Sequence, residues 1–311
     1  MSKIKAYIPW RNNLNTKMLE EAFEIVNSTK EADVVIAQSS LAPDFDGNFS
    51  KVVYVAVEPP LADHRLFCYS HFKDFKFVIC HNPKGKNEYP FTQTNEPQFY
   101  PCNCNPSCIQ MITRIDTRMR NRGIFYAGMV GQYENQPDAY GGINLTKLRR
   151  ELGEYISNNF PNSKIIGIGW NKQFSKCSNW RIDKQEQIKN ANCDFVLALE
   201  NTMLPNYLYE KIWDGFASDR VTLYLGDPNI HEHIPTNCFI DLRDFFNKNT
   251  KEFHFKALKE KIMRMTQGEY DNILHNARRF RQTAKNKHRE LEKKCTQFVI
   301  DKIKELTPQS L

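Results

Sequence analysis

Apolar residues in this chain gather in short unbroken runs, separated by polar stretches that carry glycine or proline. In the first hundred residues the runs are Lys5–Pro9, Asp33–Ala37, Val52–Val57 and Phe75–Cys80, most of them rich in Val, Ile, Phe or Tyr. Continuous runs of this length predict strands buried on both faces, as in a parallel sheet, rather than the alternation of a half-solvated one. Between the first two runs, Lys17–Val26 sets Met18, Phe23 and Val26 at roughly helical spacing and predicts a helix. From Asn82 to Cys108, Pro, Asn, Gln, Gly and Lys crowd together without a period. That stretch predicts loop and linker, with Ile109–Arg120 a short helix leading onward.

The pattern then recurs. Ile124–Val130, Lys164–Ile168, Asp194–Leu199 and Val221–Leu225 predict strands, and Leu145–Asn158, Asp183–Asn190 and Tyr209–Ala217 predict helices. Leu148, Leu152, Tyr155 and Ile156 share one face of the first of these helices. Strand–helix alternation in both halves predicts an α/β protein of two doubly wound, Rossmann-like domains. No internal sequence repeat joins the halves, so their likeness is architectural. The expected divisions are one domain over 1–108, a second over 109–285 and an amphipathic helix over 286–311. On that helix Leu291, Cys295, Phe298, Val299, Ile303 and Leu306 repeat at helical spacing. Its plain reading is a helix packed back on the protein. Peripheral association with a membrane surface is the other, weakened by Glu290, Glu292, Asp301 and Glu305 on a basic helix.

Composition narrows the classes. A length of 311 residues suffices for two domains with their own cores. The net charge of +7 is spread out and interleaved with acids even in the basic stretch Lys251–Lys304. Nucleic-acid binding would rest on that charge alone, without a motif, and is not expected. Nine cysteines at scattered spacing do not form a disulfide framework and fit a reducing compartment. Cys80, Cys193 and Cys238 read as core residues, and Cys102, Cys104 and Cys108 lack the paired spacing of a zinc ribbon. No secretory leader is visible, and no apolar run nears the ~20 residues of a spanning helix. A cytoplasmic protein, or a soluble catalytic domain, is expected.

The informative segment is Asp194–Phe245. Its first strand ends in Glu200-Asn201, and open parallel sheets bind ligands at the carboxyl ends of their strands. A carboxylate and an amide there can hydrogen-bond a ligand; a turn built on Asn201 is an equal reading. After Pro205-Asn206-Tyr207, Glu210 and Lys211 open a helix buried through Ile212 and Phe216. A helix start favours phosphate. Lys211 adds a point charge for a diphosphate, and Glu210 suits two ribose hydroxyls. The same two residues could be an ordinary exposed ion pair. The next strand ends in Gly226-Asp227-Pro228-Asn229, where Gly226 permits close backbone approach. In the first half, Glu58 ends a buried strand ahead of Pro59 and Pro60.

Leu199-Glu200-Asn201, Tyr207, Glu210-Lys211-Ile212, Tyr224-Leu225-Gly226-Asp227-Pro228, Ile234-Pro235 and Phe239-Ile240-Asp241 together resemble the alpha-1,3/4-fucosyltransferase family, glycosyltransferase family 10. The resemblance is specific over this segment and diffuse elsewhere. Tyr209 departs from the threonine the family commonly has before Glu-Lys. The resemblance implies a GT-B arrangement, two doubly wound domains facing a cleft. It implies inverting, metal-independent transfer of L-fucose from GDP-fucose to a hydroxyl, the 3-OH of a GlcNAc-containing glycan. No cofactor is needed beyond the donor, and the partners are a GDP-sugar and an oligosaccharide acceptor. By position, Lys211 holds the diphosphate with Tyr207 beside it, Glu210 binds the ribose, and Glu200 and Asn201 line the donor pocket. An arginine on the second domain's first helix assists the phosphates: Arg149, or its neighbour Arg150. Glu58-Pro59-Pro60 is similar to the family's Glu-x-Pro segment and makes Glu58 the general base.

Two other classes stay open on sequence: a transferase for another GDP-sugar, and a non-catalytic nucleotide- or glycan-binding protein on the same scaffold. The acidic triplet Asp44-Phe45-Asp46 lies in a Pro/Gly loop far from the donor-like segment and is not taken as a metal site. Gly167-Ile168-Gly169 is too short for a dinucleotide fingerprint, which argues against a dehydrogenase.

Overall fold

The apolar runs become strands of two sheets. The computed structural model describes residues 3–9, 14–37, 45, 47–55, 77–80, 91–93, 119, 121–128, 134–135, 138, 142–167, 184, 187–188, 190–205, 207–208 and 210–307. Two units share the chain: Met1–Asn105 with Asn286–Leu311, and Pro106–Lys285.

The first unit holds β1 (Lys5–Tyr7), α1 (Thr16–Ala22), β2 (Glu24–Ile25), β3 (Val34–Ala37), β4 (Val52–Val55), β5 (Phe77–Cys80) and β6 (Phe91–Gln93). Its strands lie in the order β2-β1-β3-β4-β5-β6, and every pairing is parallel. All residues of β3 and β4 are buried, as continuous Val/Ile runs require. Helix α1 is shorter than the spacing predicts. Asn15 caps it, its side-chain oxygen accepting from Met18 N at 3.1 Å, and it ends at Phe23 in extended backbone. Glu24 N then donates to Ile4 O and Val26 N to Ala6 O, both at 3.0 Å, so pairing with β1 takes the residues that the helical spacing assigned to α1. Strand β6 corrects the expected linker in the same way. Phe91–Gln93 is too short to show a period, yet it pairs with β5 through Val78↔Phe91 and Cys80↔Gln93.

The second unit contains β7 (Ile124–Ala127), β8 (Ile143–Asn144), α2 (Thr146–Asn159), β9 (Lys164–Ile166), β10 (Phe195–Leu199), β11 (Thr202–Met203), α3 (Glu210–Ala217), β12 (Val221–Leu225), α4 (Ile230–His233), β13 (Ile240–Asp241), β14 (Phe246–Asn247), β15 (Glu252–Phe253) and α5 (Phe255–Arg264). Its main sheet runs β13-β12-β10-β7-β9, again wholly parallel. Strand β7 lies between β9 and β10, so the winding reverses direction beside it. This is the switch point where ligands bind in open α/β sheets. Leu148, Leu152 and Ile156 of α2 join Phe195, Leu197, Leu223 and Leu225 in one core. Helix α3 packs close to β12: a Cβ on Gly215 would overlap the Thr222 hydroxyl.

The last helix, α6, runs from Gln267 to Leu306, starting well before the predicted 286–311. Tyr270 and Leu274 lie in the core of the second unit. Val299, Ile300 and Ile303 lie in the core of the first, with Ile4, Ala6, Leu19, Val34 and Val53. Thr296 Oγ1 accepts from Asn15 N at 2.8 Å. Among the described residues, no helix is long and apolar enough to cross a membrane.

Candidate functional site

Strand β10 delivers Glu200 and Asn201 to the switch point, beside the end of β7. Glu200 N donates to Leu225 O at 2.9 Å, which carries the ladder with β12 one residue past the strand. Its side chain is fully buried, and Oε2 accepts from Lys211 Nζ at 3.0 Å. Gly226 makes room for this: a Cβ there would overlap Glu200 Cγ and the Tyr224 hydroxyl. Close approach, rather than a positive φ, is therefore what requires glycine here.

Asn201 meets Arg149. Arg149 lies in the first turns of α2 and is buried, with Nη1 donating to Asn201 Oδ1 at 2.5 Å and Nε to the Tyr126 hydroxyl at 3.1 Å. One guanidinium thus joins β7 to the end of β10 across the reversal of strand order. Arg150, the alternative in sequence, faces elsewhere and pairs with Glu134, Nε to Oε1 at 2.8 Å. Burial disfavours the Arg149 cation, but Tyr126, Glu200 and Glu210 outweigh it and raise its pKa. Burial pushes the Tyr126 phenol up, opposed by Arg149 and Lys211.

Helix α3 begins at the same edge. Lys211 Nζ stands 3.3 Å from Glu210 Oε1 as well as 3.0 Å from Glu200. Glu210 is itself 3.7 Å from Lys184 Nζ, and Lys184 contacts Asp214 Oδ2. The result is an alternating chain of charge: Asp214, Lys184, Glu210, Lys211, Glu200. Burial alone would lower the Lys211 ammonium, yet Glu200 and Glu210 hold it well above the usual lysine value. Burial alone would raise the Glu210 carboxyl, yet Lys211 and Lys184 hold it well below the usual carboxylate range. Each group is charged because its neighbours are. Tyr207 is buried with Leu204 in a small cluster, its N–H donating to Leu204 O at 3.0 Å.

The turn after β12 is fixed independently. Asp227 N donates to the Tyr224 hydroxyl at 2.9 Å, and Asp227 Oδ1 accepts from Asn229 N at 2.8 Å. Arg243 grips Asp241 with Nε at 3.0 and 2.9 Å and reaches Pro228 O, which ties the turn to β13.

The structure thus brings Arg149, Glu200, Asn201, Glu210 and Lys211 to one edge of one sheet. Glu58 lies outside the described residues, as do Asp44, Asp46, Asn206, Tyr209 and the cluster of Cys102, Cys104 and Cys108. Cys193 and Cys238 are buried free thiols, pushed up to about 11 by burial. Lys184, Asp214 and Tyr126 were not singled out by sequence. Asp214 had a signal, since it stands four residues after Glu210 on one helix face. Lys184 had none, because its partners come from a distant helix.

The family model for glycosyltransferase family 10 (fucosyltransferase), C-terminal part, matches residues 163–302. The match covers the second unit from β9 onward and most of α6. No curated protein sequence matches the chain. Among solved structures, an alpha1,3-fucosyltransferase aligns over 88% of this chain and 81% of its own, at 15% identity and a TM-score of 0.52. An alpha1,3-fucosyltransferase crystallised with GDP-fucose aligns over 89% and 82%, at 14% identity and a TM-score of 0.51. At such identities the likeness is one of fold, and the fold is that of the GT-B glycosyltransferases. A chain with the family 10 match on this fold is a glycosyltransferase. The domain match contains Glu200, Asn201, Tyr207, Glu210 and Lys211, as well as Lys184 and Asp214; Arg149 precedes it.

Proposed function

We propose that this glycosyltransferase moves L-fucose from GDP-fucose to a hydroxyl of a GlcNAc-containing glycan, the 3-OH, with inversion and without a metal. The observation that carries the reading is the convergence of Lys211, Glu210, Arg149 and Asn201 at the switch point of the family 10 unit. Lys211 and Arg149 supply the positive charge that a diphosphate leaving group needs, in the place a metal would otherwise take. Glu210 is held ionised and can accept from ribose hydroxyls. Asn201 and Glu200 line the strand end, and Tyr207 is assigned to the diphosphate beside Lys211.

The acceptor hydroxyl attacks the anomeric carbon from the face opposite the nucleotide. Its proton passes to the Glu58 carboxylate as the new glycosidic bond forms and the bond to GDP breaks. Direct displacement of this kind inverts the anomeric centre.

The test is GDP release from GDP-fucose in EDTA, with and without N-acetyllactosamine. Acceptor-dependent release is expected, and Glu58→Gln should remove it while leaving GDP binding intact. Absence of both turnover and GDP binding would overturn the assignment.

A further inference from the structure

Lys184 is the one buried cation of the charge chain with no part in the proposed chemistry. Its side chain is 6% exposed, against Asp214 and 3.7 Å from Glu210. A lysine withdrawn from water this far is retained only with carboxylate partners. Asp214 alone would balance its charge. The second carboxylate, Glu210, needs another explanation.

Glu210 and Asp214 stand one turn apart on α3, so both face the same side. Lys184, at a helical position ahead of β10 and not on α3, reaches both. On its other flank Glu210 meets Lys211 at 3.3 Å, and Lys211 also serves Glu200. A diphosphate drawn to Lys211 competes with both carboxylates for that ammonium. Once Lys211 turns to the phosphate, Glu210 keeps its counter-ion only if a second cation stays in place. A carboxylate without one would swing toward water and lose its aim.

We propose that Lys184 is a positioning residue of the donor site, holding Glu210 in place independently of Lys211 so that Lys211 can meet a diphosphate while Glu210 stays on the ribose. This role rests on the donor site proposed above. Lys184 touches no substrate and acts through Glu210.

The experiment is calorimetric titration of the full chain with GDP and with 2′-deoxy-GDP. It compares wild type, Lys184→Met, Lys184→Arg and the double variant Lys184→Met/Asp214→Leu. The double variant removes the acid that Lys184→Met would strand, so the test survives if the single variant fails to fold. Wild type should prefer GDP. Lys184→Met and the double variant should lose about tenfold of that preference, as misplaced binding groups do, with 2′-deoxy-GDP affinity little changed. Lys184→Arg should keep most of it. In turnover, the KM for GDP-fucose should rise with kcat nearly unchanged. A folded double variant with the wild-type ratio of affinities overturns this role and leaves the donor site standing. An equal loss for both nucleotides also overturns it, since that marks a structural part alone. Wild type that binds neither nucleotide overturns the donor site, and this role with it.

Discussion

Glu200 is the residue on which the site leans most. Its carboxylate is fully buried and its ammonium partner is Lys211. Removing one member of a buried pair strands the other, at a cost of about 3 to 5 kcal/mol. Lys211→Met should therefore lower the melting temperature and abolish GDP binding together. Adding Glu200→Gln should restore the melting temperature and leave GDP binding lost, which separates charge stranding from ligand recognition in one pair of melts and titrations. The pH dependence follows from the directions of the shifts. Glu210 is depressed, so its contribution is complete above the usual carboxylate pKa and fades as pH falls through the lowered one. Lys211 is raised, so its contribution is complete below the usual lysine pKa and fades as pH rises through the raised one. The stability difference between wild type and Lys211→Met/Glu200→Gln should thus stay level from about pH 5 to pH 10; a slope across neutrality in melts would contradict it. The strand end Glu200-Asn201 and the pair Glu210-Lys211 were legible because acids, amides and lysines beside buried strands are conspicuous. The depth of Glu200 was not, since a polar residue at a strand end reads as a solvated turn until Gly226 is seen to admit it.

Among the elements, α3 and α5 end on arginines from elsewhere in the chain. Arg122 Nη2 donates to Met265 O at 3.0 Å and Nη1 to Ile262 O, closing the C-terminus of α5. Arg281 Nη1 reaches Phe216 O near the end of α3, and Arg278 grips Asp219 at 2.8 and 2.7 Å just beyond it. Free carbonyls at a helix end need such donors. Arg122→Ala should cost about 1 to 3 kcal/mol and speed hydrogen exchange in the last turn of α5. Gly215→Ala should cost about 1 to 3 kcal/mol by overpacking α3 on β12, relieved in part by Thr222→Ala and measured by chemical denaturation. Strong apolar runs made β3, β4, β10 and β12 readable, with β12 found at its predicted bounds Val221–Leu225. Edge strands β2 and β6 were not readable. Each exists because a neighbour offers an open ladder, and nothing in two or three residues announces that.

For the whole molecule, the sequence pattern of two α/β halves corresponds to two parallel sheets, each with its own core. Ownership of α6 could not be read from it. The helix gives Tyr270 and Leu274 to one core and Val299, Ile300 and Ile303 to the other, whereas the helical spacing alone shows only that one face is apolar. Ile303→Ala should cost about 2 to 5 kcal/mol and raise hydrogen exchange in β1 and β3, at the opposite end of the sequence. Loss of protection confined to α6 would contradict that prediction.

This sharing gives the chain an order of assembly during its synthesis. A ribosome releases the strands of the first sheet early, but the residues that complete their core emerge only after the whole second unit. The second unit, Pro106–Lys285, is contiguous and can finish as soon as it clears the exit tunnel. The first unit has to wait, with part of its apolar surface uncovered, until Val299 and Ile303 arrive. Domains commonly mature from the N-terminus onward during translation; here the half made first is the half completed last, and a nascent chain stalled before residue 299 is the species most exposed to chaperones.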